Sequence, residues 1–216
     1  MKVVIQCAKS KDPTAGYFRN AVGQKLHFVA KPSEDEVTDP IDTRPDARPM
    51  SGLPTWRQQI KDYNECKDEN RFGLFPAYRL YKHPIYGKLV ETFGPKKVFV
   101  LSAGWGLIRS DFLLPQYNVT FTPGADEKFR RRPNDTFDDF NELSADSTEG
   151  VIFFGGKEYV PLFCRLTSTL EANRRVYYRS IRPPDAPGCQ LVRYETKGST
   201  NWHYACAKDF IKGMID

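Results

Sequence analysis

The sequence is poor in the residue patterns from which several common kinds of site are built. Its three histidines lie far apart, and its five cysteines are scattered without a C-x-x-C pair. Zinc sites and disulfide frameworks need such residues at close spacing, so we expect reduced thiols and no metal. The glycine patterns of Walker and Rossmann loops and the G-x-S-x-G motif of serine hydrolases are also absent, and we expect no cofactor.

Long apolar segments are absent as well, and none could span a bilayer. The first residues, MKVVIQCAKSK, reach charge after a short apolar run and lack a small-residue cleavage site. They predict a first strand rather than a signal peptide, and hence a cytoplasmic protein with no membrane partner. With 216 residues, 40% of them hydrophobic and 27% charged, residues 1–216 are predicted to form a single domain.

Short apolar runs alternate with helical patterns along the chain. The predicted strands, bounded by glycine and small residues as in a parallel sheet, are 2–8, 96–103, 150–156, 174–179 and 189–195. The predicted helices are 54–67, 75–93 with a break near Pro84, 135–143, 157–172 and 201–215. This alternation predicts an α/β fold, a three-layer sandwich with a mainly parallel central sheet.

Residues 31–53 depart from this pattern, because they are dense in Pro, Asp and Arg and poor in core residues. We interpret them as a long exposed loop insertion and a candidate lid, rather than as a domain linker. Residues 123–134 and 180–189 are predicted to be excursions of the same kind.

The net charge of +5 is modest, but cations and aromatics are interleaved in three stretches, 79–88, 129–133 and 174–182. That mixture suits nucleic acid, since Lys and Arg neutralise phosphates while aromatic rings stack on exposed bases. The alternative is that the aromatics belong to the core and the cations to a solvated face.

Polar and small residues follow three of the predicted strands. In parallel α/β sheets, ligands bind at the carboxyl ends of the strands, and glycines there allow the backbone to approach a ligand closely. The candidate substrate-binding residues are Cys7, Ser10, Lys11, Tyr17, Phe18, Ser102, Gly104, Trp105, Gly106, Tyr117, Gly155, Gly156 and Lys157. For each glycine taken alone, a plain turn is the alternative.

Three motifs occur in the order found in one known family. They are VIQCAKSK followed by Tyr17 and Phe18, then VLSAGWGLIRSDFLLPQYNVT, then FFGGKEYV. Together they resemble the YaaA-like family and its bacterial relatives of unknown function, outside residues 31–70 and the last thirty or so. The chain has Trp105 where that family usually has Tyr or His, and Asn118 where Asp is common.

The resemblance implies an α/β core related to uracil-DNA-glycosylase-like folds and an association with DNA. It also implies a link to DNA damage or modified-base metabolism. Some relatives look like DNA glycosylases used against phages with modified bases, and others like base-modifying enzymes of deazaguanine pathways.

Hydrolysis of an N-glycosidic bond needs stabilisation of an oxocarbenium-like sugar, a positioned water and hydrogen bonds to the departing base. The candidate catalytic residues are Asp111, with Asp12 in reserve, for the sugar and water, Asn118 for the base edge, and Lys9. A turn or helix cap is the alternative role for Asp111.

The other candidates have supporting roles. Trp105, Tyr117 or Phe18 would stack on a flipped base, although core packing is the alternative for Trp105. Lys9, Lys11 and Lys157 would hold flanking phosphates. A lysine could instead form a Schiff base with the sugar, giving a lyase, if burial lowered its pKa.

The predicted function is that of a DNA glycosylase-like enzyme that flips out and excises a modified base, in phage defence or DNA repair. The partner is DNA, and no obligate protein partner is indicated. Two alternatives stay open. One is a non-catalytic DNA-binding stress-response protein, and the other is a nucleotide- or base-modifying enzyme that binds phosphate at the turn of Gly155 and Gly156.

Overall fold

Strands and helices alternate along the computed structural model, which describes residues 1–33, 38–66, 69–145, 148–196, 198 and 200–215. In the first half of the chain these are β1 Lys2–Gln6, β2 Leu26–Val29, β3 Ile41–Thr43, α1 Trp56–Glu65, β4 Phe75–Pro76, α2 Ala77–Leu80, α3 Ile85–Phe93 and β5 Val98–Ser102. The rest are β6 Gly106–Arg109, β7 Leu113–Leu114, β8 Tyr117–Asn118, β9 Phe140–Asn141, β10 Val151–Phe154, α4 Val160–Leu166, β11 Arg174–Tyr178, β12 Gln190–Arg193 and α5 Trp202–Ile211.

The central sheet has seven strands in the order β12-β11-β10-β1-β5-β6-β9. Strand β6 is antiparallel to β5, and the other neighbours in the sheet are parallel. All residues of β5 and β10 are buried, which explains why both read as continuous apolar runs. The α/β class with a mainly parallel central sheet flanked by helices is therefore confirmed.

Several helix predictions are also confirmed. Helix α1 begins after Thr55, whose Oγ1 accepts a hydrogen bond from the Gln58 amide at 3.2 Å, a standard N-cap. The predicted position 67 lies outside the described residues. The break near Pro84 separates α2 from α3, because a proline ring clashes with a preceding helical turn. No helix in the described part of the chain has the length and apolar character needed to cross a membrane.

The acidic helix predicted at 135–143 is wrong. Its residues Phe140 and Asn141 form β9, the outermost strand of the sheet, which pairs with β6. The Phe140 amide donates to the Trp105 carbonyl at 2.9 Å, and the Glu142 amide donates to the Leu107 carbonyl at 2.8 Å. Pairing with an otherwise open strand edge has overridden local helix propensity.

The helix predicted at 157–172 is shorter than expected. A 3₁₀ turn, Lys157–Tyr159, precedes α4, and α4 ends at Leu166. Just beyond it, the Thr167 side chain bonds back to the Phe163 carbonyl at 2.7 Å.

The interpretation of residues 31–53 as an exposed loop is wrong in part. Residues Ile41–Thr43 form β3, in a small parallel sheet of order β3-β2-β8, and Pro45 is buried. Positions 34–37 lie outside the described residues. The role of a lid stays a prediction.

Candidate functional site

The carboxyl ends of the central parallel strands meet at one edge of the sheet. Residues Ile5 and Gln6, at the end of β1, lie opposite Phe154 of β10 and Leu101 of β5 respectively. The loop that follows β1 and the segment that follows β8 line a cleft of about 300 Å³ there. Its lining includes Lys9, Lys11, Asn118, Thr120, Asp126 and Phe129.

Lys11 places a partly buried amine in this cleft. Its Nζ donates to the Ala8 carbonyl at 3.3 Å and lies 4.0 Å from the centroid of the Tyr117 ring. Burial lowers the pKa of Lys11 to about 8, although the nearby Cys7 thiol acts in the opposite direction. The ring face also favours the ammonium form. At a pKa of about 8, roughly a tenth of the molecules carry a free amine at pH 7.

The Tyr117 ring beneath this amine carries a hydroxyl that belongs to a buried hydrogen-bonded cluster. The Tyr117 Oη is 2.7 Å from the Tyr81 Oη and 2.8 Å from the Ser102 Oγ. Burial raises the pKa of both tyrosines well above the usual value, so their hydroxyls stay neutral. Because both rings and Ser102 are buried, they support Lys11 from below rather than contacting a ligand.

The side chains after β1 and β10 are engaged with each other. The Cys7 Sγ lies 3.3 Å from the Tyr159 Oη, and both residues are buried. The Gly156 amide donates to the Gln6 side-chain oxygen at 2.6 Å. A Cβ on Gly155 would lie 2.2 Å from the Phe153 ring. This turn therefore uses its glycines for packing, and the amide of Gly156 is already bonded rather than presented to an anion.

Two buried arginines hold the turn that links β5 and β6. Arg131 donates to the Ala103 carbonyl at 2.8 Å. Arg57 donates to the carbonyls of Gly104 and Trp105 at 2.9 and 3.1 Å. Three successive carbonyls are thus fixed by two side chains that come from distant parts of the sequence.

Each of these arginines is neutralised by a carboxylate. Arg131 makes two hydrogen bonds to Asp139, both of 2.7 Å, and the Asp139 side chain has no exposed surface. Arg57 pairs with Asp46 in the same way. Sequence reasoning missed both pairs, because Arg and Asp are common in these segments and nothing in the pattern distinguishes a buried pair from a solvated one.

The aromatic side chains predicted to stack on a base are not in the cleft. Trp105 is fully buried between Phe28 and Phe140. Phe18 is 5% exposed and belongs to an aromatic cluster around Tyr63. Rings enclosed in this way have no free face for a base, so the core-packing alternative for Trp105 describes its actual position.

The glycines of the β5–β6 turn are likewise explained by packing. A Cβ on Gly104 would lie 3.2 Å from the Tyr117 ring. Gly106 has a φ of +90°, and a Cβ there would lie 2.5 Å from the Phe140 carbonyl oxygen. The positive φ and the close carbonyl oxygen both disfavour a side chain, so position 106 requires glycine.

Asp111 lies at the opposite edge of the sheet from the cleft. Because β6 runs antiparallel to β5, Arg109 pairs with Phe99 near the start of β5, and Asp111 follows beyond it. Its carboxylate pairs with Arg109 at 3.0 Å and is 39% exposed. It lines a separate groove of about 450 Å³. Asp111 is therefore separated from Lys9 and Asn118, the other candidate catalytic residues, because the β5–β6 hairpin carries it away from the cleft.

The reserve carboxylate is committed to a turn. Asp12 accepts hydrogen bonds from the Thr14 hydroxyl at 2.6 Å and from the Thr14 amide at 2.9 Å. These bonds lower the pKa of Asp12. Its carboxylate therefore stays ionised and stabilises the turn.

The remaining predicted residues lie in several places. Lys9, Ser10 and Lys157 are exposed. The Ser10 carbonyl accepts from the Lys82 amide at 3.3 Å. The Tyr17 ring lies 5.5 Å from the Lys25 ammonium. Of the predicted site residues, the cleft brings together Lys9, Lys11 and Asn118.

Sequence reasoning missed Phe129, Asp126 and Thr120 as lining residues of the cleft. A signal existed for Phe129, because it begins one of the stretches in which aromatics and cations are interleaved. The other two are ordinary loop residues whose position depends on the path of residues 119–130.

Comparison of the chain with protein-family models, with curated proteins and with solved structures finds no match.

Proposed function

We propose that this protein is a DNA glycosylase-like enzyme that receives a flipped-out modified base in the Lys11 cleft, in phage defence or DNA repair. One observation carries the proposal: a partly buried amine, an exposed amide and an aromatic ring line the same cleft, at Lys11, Asn118 and Phe129. A core of the YaaA-like and uracil-DNA-glycosylase-like kind belongs to the same proposal.

The volume and lining of the cleft suit a nucleobase. At about 300 Å³ it lies at the small end of ordinary ligand pockets. The Asn118 amide both donates and accepts hydrogen bonds, which is what reading the edge of a base requires. Phe129 supplies the aromatic surface that the buried Trp105 does not.

Positive charge beside the cleft supports a phosphate backbone as partner. Next to the lining residues Asp126 and Phe129, the single carboxylate of Glu127 is shared by Lys31, Arg130 and Arg132. The carboxylates of Asp126 and Asp135 lie in the same segment and offset these cations. The positive charge at the cleft itself therefore comes from the exposed Lys9 and from Lys11. Cations in this arrangement hold DNA through its phosphates without reading sequence.

The proposal is tested with end-labelled oligonucleotides, single- and double-stranded, each carrying one modified base. After incubation and alkali, we expect strand breaks at the modified base, and binding that weakens steeply with salt. Salt-dependent binding without base release from any substrate would favour the non-catalytic DNA-binding alternative. Tight binding of a mononucleotide with no salt-dependent affinity for DNA would favour the nucleotide enzyme.

A further inference from the structure

We propose that Lys11 Nζ is the nucleophile of the reaction, attacking the sugar to displace the base, so that the enzyme is a lyase as well as a glycosylase. The inference rests on the proposed function for its substrate class. It adds a covalent intermediate and a second product, a broken strand.

The geometry gives Lys11 an advantage over its neighbour Lys9. Both line the cleft, but Lys9 is exposed whereas Lys11 extends over the Tyr117 ring and bonds to the Ala8 carbonyl. Partial loss of hydration favours the neutral amine, and this is the form of lysine that acts as a nucleophile. The pKa of Lys11, which burial lowers to about 8, agrees with this placement.

Other nucleophiles of the described cleft lining are less well placed. The hydroxyls of Thr120 and Thr122 bond to each other at 2.9 Å. The Asp126 carboxylate is exposed and accepts from the Lys128 amide at 2.9 Å. The Cys7 thiol is buried beside Tyr159, outside the lining. The amine of Lys11 is thus the group that combines access to the cleft with partial burial.

The chemical step balances without a cofactor. The lone pair of the neutral Nζ forms a bond to C1′ of the sugar, the N-glycosidic bond breaks, and its electron pair leaves with the base, which takes up a proton. Loss of the Nζ proton and opening of the sugar ring at O4′ give a Schiff base, with O4′ becoming a hydroxyl. Removal of a C2′ proton then expels the 3′ phosphate, and water releases the enzyme and the nicked strand.

The required charge state predicts the pH dependence. The titratable groups that face Lys11 are Cys7, Tyr81 and Tyr117 beneath it, and Lys9 and Asp126 in the cleft lining. Burial raises the pKa of both tyrosines, so they stay neutral across this range. Because the neutral amine reacts, the rate of adduct formation should rise about tenfold per pH unit below pH 8 and level off above it.

The test uses a duplex that already contains one abasic site, whose aldehyde offers C1′ to an amine whatever base the enzyme prefers. With sodium cyanoborohydride as reductant, we expect a stable protein–DNA adduct that peptide mapping locates at Lys11. Lys11→Arg keeps the positive charge. Lys11→Met keeps a side chain of similar length but removes the charge. Both should lower the trapping rate by roughly 100-fold or more.

Lys61→Arg is the matched control, because Lys61 is a lysine with a side chain 45% exposed, in the groove at the opposite edge of the sheet. It should trap at the rate of the unmodified protein. Thermal unfolding verifies that each variant folds. Because two Lys11 variants are assayed, the test still stands if one of them is unstable.

The outcomes separate this inference from the proposed function. Adduct at an unchanged rate in both folded Lys11 variants, or an adduct mapped to another lysine, would overturn the inference. Base release that leaves intact abasic sites, with no trapping, would overturn it while the glycosylase proposal stands. Trapping at Lys11 with no base release from any modified duplex would keep the amine chemistry and overturn the glycosylase proposal.

Discussion

Two depressions at opposite edges of the same sheet could serve as an active site, and the β5–β6 hairpin joins them. The groove of Asp111 is the larger, about 450 Å³ against about 300 Å³ for the cleft of Lys11. Asp111 is solvated and paired with Arg109, whereas Lys11 is partly buried with a lowered pKa. The larger volume and the lowered pKa are thus found in different depressions, because a pKa shift follows the loss of hydration rather than the volume of a depression.

Removal of one charged group from each depression tests which of the two holds the reacting atoms. Lys11→Met should lower the rate of base release by about 10²- to 10⁴-fold, the usual range for a group that takes part in the bond-breaking step. Asp111→Asn should leave it within about twofold, since an exposed carboxylate this far from the cleft touches no reacting atom. Single-turnover assays of base release on the same oligonucleotide measure both. The reverse ranking would return the active site to the groove.

A second comparison concerns the turn that begins the hairpin. Arg131→Met should lower the free energy of unfolding by about 3 kcal/mol, because it removes a buried partner of Asp139 and the hydrogen bond to the Ala103 carbonyl. Arg165→Met removes the other partner of Asp139, a side chain that is 56% exposed, and should cost less than about 1 kcal/mol.

Urea unfolding at a fixed protein concentration measures both variants. Equal effects for Arg131→Met and Arg165→Met would mean that the buried contact to the turn adds nothing. In that case the turn would owe its shape to its own residues, above all Gly106 with its positive φ.

The two edges also differ in how far the sequence could predict them. The strands β1, β5 and β10 follow from apolar runs bounded by small residues, and these runs fix which loops lie at the cleft edge. Whether the chain after Gly106 continues round the cleft or turns back is decided by pairing between β5 and β6, which is a tertiary choice. For that reason Lys11 and Asn118 line the same cleft, whereas Asp111 lies in the groove at the other end of the strands.

Burial is the other property that the sequence did not reveal. In the stretch VIQCAKSK, Lys9 and Lys11 look equivalent, and only the packing of Lys11 over Tyr117 separates them. The same holds for Trp105, since an aromatic in a glycine-rich turn fits an exposed wall as well as a core. Here the ring is enclosed between β2 and β9.

The smallest expected difference concerns phosphate binding at the two edges. Lys9→Ala should weaken DNA binding by a few-fold and reduce the slope of log affinity against log salt by about one, as the loss of one phosphate contact does. Lys61→Ala, at the groove of Asp111, should change neither quantity. Fluorescence anisotropy titrations of a labelled duplex over a range of salt concentrations measure both. A reduced slope for Lys61→Ala with none for Lys9→Ala would show that DNA lies along the groove, and the cleft would then be the wrong edge for the chemistry.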